Sequence, residues 1–199
     1  MELVKQLRDM SGAGMMDCKQ ALEEAQGDLE KAFTILREKG IAKAVKRAGR
    51  VTGQGVVEAY LHRTDPGYPP QVGVLIEVNC ETDFVAKGDD FRKLAKELAL
   101  QVAGFTPRWV SRDDVPDEVL VAERTVYEAK AEQDGRPKHV IPKIVENQIE
   151  DFLKQNCLLE QPYFRETKHT IKDLIAEHVS KLQENITVRR FARFNIRET

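Results

Sequence analysis

The chain has 199 residues, 41% hydrophobic and 32% charged, with a formal net charge of −2. This is the make-up of an ordinary globular protein, either one domain or a small domain beside a larger one, with enough length to bury a core. The balance excludes a nucleic-acid binder held by bulk charge, though local basic patches remain open. No apolar run approaches the roughly 20 residues of a membrane helix. The opening MELVKQLRDM has no apolar signal core and carries Glu2 and Asp9, which makes it a poor transit peptide. Cys18, Cys80 and Cys157 are far apart with no CxxC spacing, and His62, His139, His169 and His178 are scattered. That pattern predicts a reduced, cytoplasmic setting, no disulfide framework and no metal site.

The first 50 residues read as three short helices. Leu3, Val4 and Leu7 make one apolar stripe that ends before SGAG; Met15, Cys18, Leu22 and Ala25 make the next. Gly27 closes that helix, Asp28 is placed to cap the following one, and Leu29, Ala32, Phe33 and Leu36 form its stripe until Gly40 stops it. Met15 falls on its stripe and reads as packing, whereas Met16 lies about 100° round the helix. The basic stretch with Lys43, Lys46, Arg47 and Arg50 reads as a linker with a solvated face, or as an RNA contact.

From Val56 the period becomes two. VVEAYLHR and QVGVLIEVN flank the turn-rich TDPGYPP and predict an antiparallel hairpin, with Val72, Val74, Ile76 and Val78 on a buried face. A helix begins near Asp89 or Asp90, carrying Phe91, Leu94, Leu98 and Val102 on one side. TPRWVSRDDVP is a loop with a short extended piece. Helical patterns follow over 117–133 and 140–155 with DGRP between them; CLLEQPYF is an apolar connector, and another helix runs over 171–182. The chain closes on a strand, NITVRRFARFNI, whose Ile186, Val188, Ala192, Phe194 and Ile196 share a face interrupted by Arg190. The order predicts an α+β fold, with helices over one face of an antiparallel sheet.

Enzyme signatures are absent from the sequence. GAGMMD lacks the third glycine of a dinucleotide loop and follows no strand, and there is no P-loop, GxSxG or HExxH. Glu81, Asp83, Asp89 and Asp90 match no calcium-loop spacing and read as solvated acids or helix caps. Arg189, Arg190 and Arg193 interleave with Phe191 and Phe194, a pattern that suits RNA stacking or a core strand with a basic face. Phe84, beside the carboxylate of Asp83 in NCETDFVAKGDDF, is left open between core anchor and exposed wedge.

Two long strings go beyond generic patterning. GAGMMDCKQAL and NCETDFVAK, with CLLEQPYF and ENITVRRFARF in the same order, resemble the bacterial elongation factor Ts family over nearly the whole chain. The resemblance implies a non-enzymatic guanine-nucleotide exchange factor without a cofactor, whose partner is the GTPase elongation factor Tu. It implies a ubiquitin-associated-like three-helix domain over 1–52, including the basic linker, and an α+β core and dimerisation domain over 53–199. Arg8, Met15 and Met16 match the family's GTPase-docking residues, and Thr82, Asp83, Phe84 and Val85 match the stretch inserted near the GTPase's magnesium site. Many family members carry two core subdomains and a coiled coil; this chain matches a single-core form, for which a homodimer is expected. Gln54 stands where the family commonly has Glu, and Asn147 and Gln183 stand where it commonly has Gly, which predicts local loop changes. No membrane and no direct nucleic-acid partner are expected. The alternative reading is an RNA- or ribosome-binding translation module.

Overall fold

The computed structural model describes residues 1–198, and the fold is α+β. Three helices open it: α1 (Glu2–Ser11), α2 (Met15–Glu24) and α3 (Leu29–Arg47). Each boundary has a local cause. Gly12 sits in the left-handed region at φ 64° and its N–H donates to the Arg8 carbonyl, closing α1. Asp28 caps α3 by accepting from the Glu30 and Lys31 N–H groups at 3.0 and 3.1 Å. Leu7, Cys18, Ala21, Leu22, Ala25, Ala32 and Leu36 form the small core of these helices.

The expected stop at Gly40 is corrected: α3 continues through it to Arg47. Gly40 is buried, and a Cβ there would meet the Ser180 side chain at 3.5 Å. That is an ordinary contact distance, so the residue sits within the helix without ending it.

Strands β1 (Gln54–His62) and β2 (Val72–Cys80) follow. They are neighbours joined by a short loop, which makes the pair antiparallel. The helices α4 (Asp83–Ala86), α5 (Asp89–Phe105), α6 (Asp117–Gln133) and α7 (Ile141–Asn156) come next. Then come β3 (Pro162–Tyr163), β4 (Glu166–Thr170), α8 (Ile171–Leu182) and β5 (Thr187–Asn195). The main sheet has the order β1–β2–β5, and β3, inside what reads in sequence as a plain connector, forms a separate antiparallel pair with β4 just beyond it. The short extended piece expected after α5 is a single bridge between Trp109 and Cys157.

The chain divides into two compact units. The first comprises 1–58, 76–97 and 173–189; the second comprises 59–75, 98–172 and the stretch from Arg190. In the first, Ile76, Val78 and Phe91 are fully buried. In the second, α6 and α7 close over Val145, Ile149, Phe152 and Cys157. Their connection is a glycine-capped turn: Gly135 has φ 69° and the Arg136 N–H donates back to Ala131.

β5 also differs from expectation. Ile186 and Val188 are buried, but Ala192, Phe194 and Ile196 are exposed. Arg189 and Arg190 both face outward, so the alternation slips by one there. Beyond the slip Arg193 turns inward, and its Nε donates to the Ala103 carbonyl at 3.3 Å. A one-residue slip exchanges the two faces of a strand, and here it leaves the last apolar residues open.

Candidate functional site

The end of β2 leads into the motif left open in the sequence. Cys80 is fully buried, Thr82 is extended at φ −123°, and α4 begins at Asp83. The Thr82 hydroxyl accepts from the Val85 N–H at 3.4 Å, and its carbonyl accepts from Ala86 at 3.2 Å. These bonds turn the chain sharply and divide the motif's side chains. Val85 and Ala86 are buried and anchor the turn. Phe84 is 85% exposed, so it is not a core residue.

Asp83 is exposed beside it. Its carboxylate accepts from Lys87 Nζ at 2.6 Å, and that ammonium holds its carboxyl below the usual carboxylate range. The pair presents an ionised acid and an aromatic ring on one turn. Asp89 and Asp90, expected as caps, lie within the first turn of α5, where negative charge favours the helix N-terminus. Asp90 also takes Lys181 at 2.9 Å.

The loop is held from α8's far end. The Glu184 carboxylate accepts three hydrogen bonds: from the N–H groups of Glu81 and Thr82, both at 3.0 Å, and from the Thr82 hydroxyl at 2.5 Å. In return the Glu81 carboxylate accepts from the Asn185 N–H at 2.6 Å and from Arg50 at 3.5 Å. Asn185 is buried, and its Nδ2 donates to the carbonyls of Ala48 and Arg50. Burial and the Glu184 charge push the Cys80 thiol up to about 11, so it stays protonated.

Glu184 and Asn185 open the ENITVRRFARF string, but nothing in the sequence gives them a role. Both lie about a hundred residues from Thr82, and no spacing rule links residues that distant. Gln183 is the legible part of this segment. It has φ 62°, a left-handed conformation that favours glycine. Its side chain accepts from Arg47 at 2.7 Å.

The second set of candidate residues lies on α1 and α2. Met15 is 52% and Met16 68% exposed, and Arg8 is exposed beside them. The packing reading of Met15 is therefore corrected. Although it sits one turn before buried Cys18, it occupies the first turn of α2, past the edge of the small core. Arg8 and Met15 border an open groove of about 500 Å³ that Lys43, Lys181 and Gln183 also line. The two sets of residues are thus separate patches of the first unit, both bordered by the end of α8.

Several cations of the RNA reading are paired with acids within the protein. Lys43 bonds Asp17 at 2.8 Å, Arg50 bonds Glu81, Arg189 reaches Glu77 at 3.8 Å, and Arg193 bonds Glu198. Among the described residues, no group of three or more His, Cys, Asp and Glu could hold a metal ion, and no helix is long and apolar enough to cross a membrane.

Residues 5–198 match the family described as Elongation factor TS. The chain is similar to Elongation factor Ts of Thermoanaerobacter sp. (strain X514), at 53% identity over 193 residues, covering 97% of this chain and 92% of the relative. It is also similar to the proteins of that name from Carboxydothermus hydrogenoformans, at 51% over 197 residues (99% and 88% covered), and Coprothermobacter proteolyticus, at 53% over 196 residues (98% and 97% covered).

Proposed function

The chain belongs to the elongation factor Ts family of translation elongation factors, and from that premise we propose that it is a guanine-nucleotide exchange factor for elongation factor Tu. The observation that carries this reading is Phe84, exposed on a turn whose neighbours are buried or hydrogen-bonded. A solvated phenylalanine on a rigid turn is disfavoured in isolation and suited to insertion into a partner.

The physical requirement is differential binding. A GTPase holds GDP through Mg²⁺ and backbone N–H groups that neutralise its phosphates. A factor accelerates release only if it binds the nucleotide-poor state better, and by linkage GDP and the factor weaken each other equally. In this scheme residues 1–52, a ubiquitin-associated-like helical domain with its linker, dock on the GTPase through Arg8, Met15 and Met16. Thr82, Asp83, Phe84 and Val85 form the insert near the magnesium site: Phe84 is the wedge, Asp83 brings negative charge against the magnesium ligands, and Thr82 and Val85 hold the turn. No covalent bond forms or breaks on this chain, so it is a binding protein and not an enzyme, and it needs no cofactor. Its place of work is the cytoplasm.

Residues 53–199, whose last residue lies outside the described structure, form the core and dimerisation domain in this proposal. The partner there is a second copy of the chain, packed on the open sheet face that carries Leu61 and Phe194.

Burying one phenylalanine contributes about 2 kcal/mol, which corresponds to roughly 30-fold in rate. Phe84→Ala is therefore expected to slow release of labelled GDP from elongation factor Tu by about that factor, with its circular dichroism unchanged. Wild-type exchange by the folded variant would remove Phe84 from the mechanism. Failure of the unaltered protein to speed release would remove the function.

A further inference from the structure

We propose that Glu184 is a positioning residue for nucleotide exchange: its carboxylate clamps the Glu81–Thr82 segment and thereby fixes the direction in which Phe84 is presented. The inference rests on the exchange reading above and adds a residue to it.

The geometry carries the argument. Helix α4 has only four residues, too few for a helix to hold its own direction. Phe84 does not anchor itself, because 85% of it is exposed. The segment is pinned on its C-terminal side by buried Val85 and Ala86. On its N-terminal side, between buried Cys80 and Asp83, Glu184 takes two successive backbone N–H groups and one hydroxyl. Bonds to a carboxylate are shorter and stronger than those between neutral groups.

The clamp is reciprocal. Glu81 accepts the Asn185 N–H, and Asn185 donates to the carbonyls of Ala48 and Arg50 just past α3. The end of the three-helix segment and the start of the wedge turn are therefore fastened to the same pair of residues. Loosening Glu184 leaves Arg8, Met15 and Met16 in place but frees the wedge to point elsewhere. A glutamine in its place weakens the clamp: its oxygen can keep the two N–H bonds but loses the charge that strengthens them, and its NH₂ takes the place of the oxygen to which the Thr82 hydroxyl now donates.

The test is GDP release from elongation factor Tu, measured against factor concentration for wild type, Glu184→Gln, Thr82→Val, the double variant and Phe84→Ala, with amide hydrogen exchange at 81–82. A mispointed wedge lowers the saturating rate and spares docking. We expect about tenfold slower saturating release for Glu184→Gln and for Thr82→Val, with half-saturating concentrations within about threefold of wild type. The double variant should lose less than the product of the two single losses, because the bond between the Thr82 hydroxyl and Glu184 is shared by both. The Glu81 and Thr82 amides should exchange faster in Glu184→Gln. A normal saturating rate in Glu184→Gln beside a slow Phe84→Ala overturns the clamp alone. A normal rate in Phe84→Ala overturns the wedge reading on which it rests. Multiplicative losses in the double variant, or a change confined to the half-saturating concentration, also overturn the clamp. Should Glu184→Gln fail to fold, Thr82→Val decides: a wild-type saturating rate overturns the proposal.

Discussion

His178 lies partly buried on α8, its Nδ1 hydrogen-bonded to the Leu174 carbonyl at 2.9 Å. Burial lowers its pKa below the ordinary histidine value of 6.5; the carbonyl and Asp90 work against that shift, and Lys181 adds to it. The unfolded chain therefore binds more protons here than the folded one. The stabilising contribution is complete above about pH 6.5 and is lost as pH falls towards and through the lower folded value. Urea midpoints should fall from pH 7.5 to pH 5.5, and His178→Gln, which cannot charge, should fall less. Equal slopes in the two proteins would show that this imidazole is not the source. Asp83 behaves differently at the same scale: Lys87 keeps it ionised, but both groups are solvated, so the pair sets the charge of the wedge turn and adds little to stability.

At the scale of elements, periodicity makes legible what is buried on one side. The stripes of α3 and α5, that of α2 apart from Met15, and the inward face of β2 follow from spacing alone. What spacing hides is any place where a neighbour distant in sequence decides. Gly40 does not end α3, and it is buried with Ser180 as its neighbour. β5 changes phase at Arg189 and Arg190, and β3 and β4 are too short and polar to announce themselves. At the candidate site, the motif around Phe84 is readable as a family string, yet its exposure depends on the burial of Val85 and on Glu184. Gln101 is another such case. It is fully buried on α5, its Nε2 donating to Gln161 Oε1 at 3.1 Å and to the Pro162 carbonyl at 3.2 Å. Its Oε1 accepts from the Phe164 N–H at 3.1 Å. Gln161, also buried, donates onward to Phe105 and Gln155. Gln101→Leu would strip partners from several of these groups at once, with a cost of about 1–3 kcal/mol for each buried group left unpaired. The expected loss in chemical denaturation is about 2–4 kcal/mol. A loss below about 0.5 kcal/mol would mean that water replaces the amide.

At the scale of the whole molecule, the sheet raises the question of what covers its outer face. Along β1, Val57, Ala59 and Leu61 are exposed; along β2, Leu75 is; and past the slip in β5, Ala192, Phe194 and Ile196 are. Leu61 is 64% and Phe194 70% exposed, and both line an open groove with Pro70, Val72 and Gly73. β1 and β5 are also free edges of the sheet. Strands of nine residues at usual spacings make a face of roughly 30 by 14 Å. That is about half of the roughly 800 Å² that each partner commonly contributes to a stable interface, so side-chain relief and flanking residues such as exposed Tyr68 must supply the rest. Two such faces packed together would form a two-sheet core, with Phe194 as the largest apolar group of the β1, β2 and β5 face. The expected mass by light scattering is therefore twice 22.6 kDa at micromolar concentration. Phe194→Asp would bury a carboxylate in that core and should give the monomer mass with secondary structure retained. GDP exchange by this variant would then report whether one copy suffices. A wild-type protein of 22.6 kDa at those concentrations, or a Phe194→Asp variant that remains paired, would exclude this face as the contact.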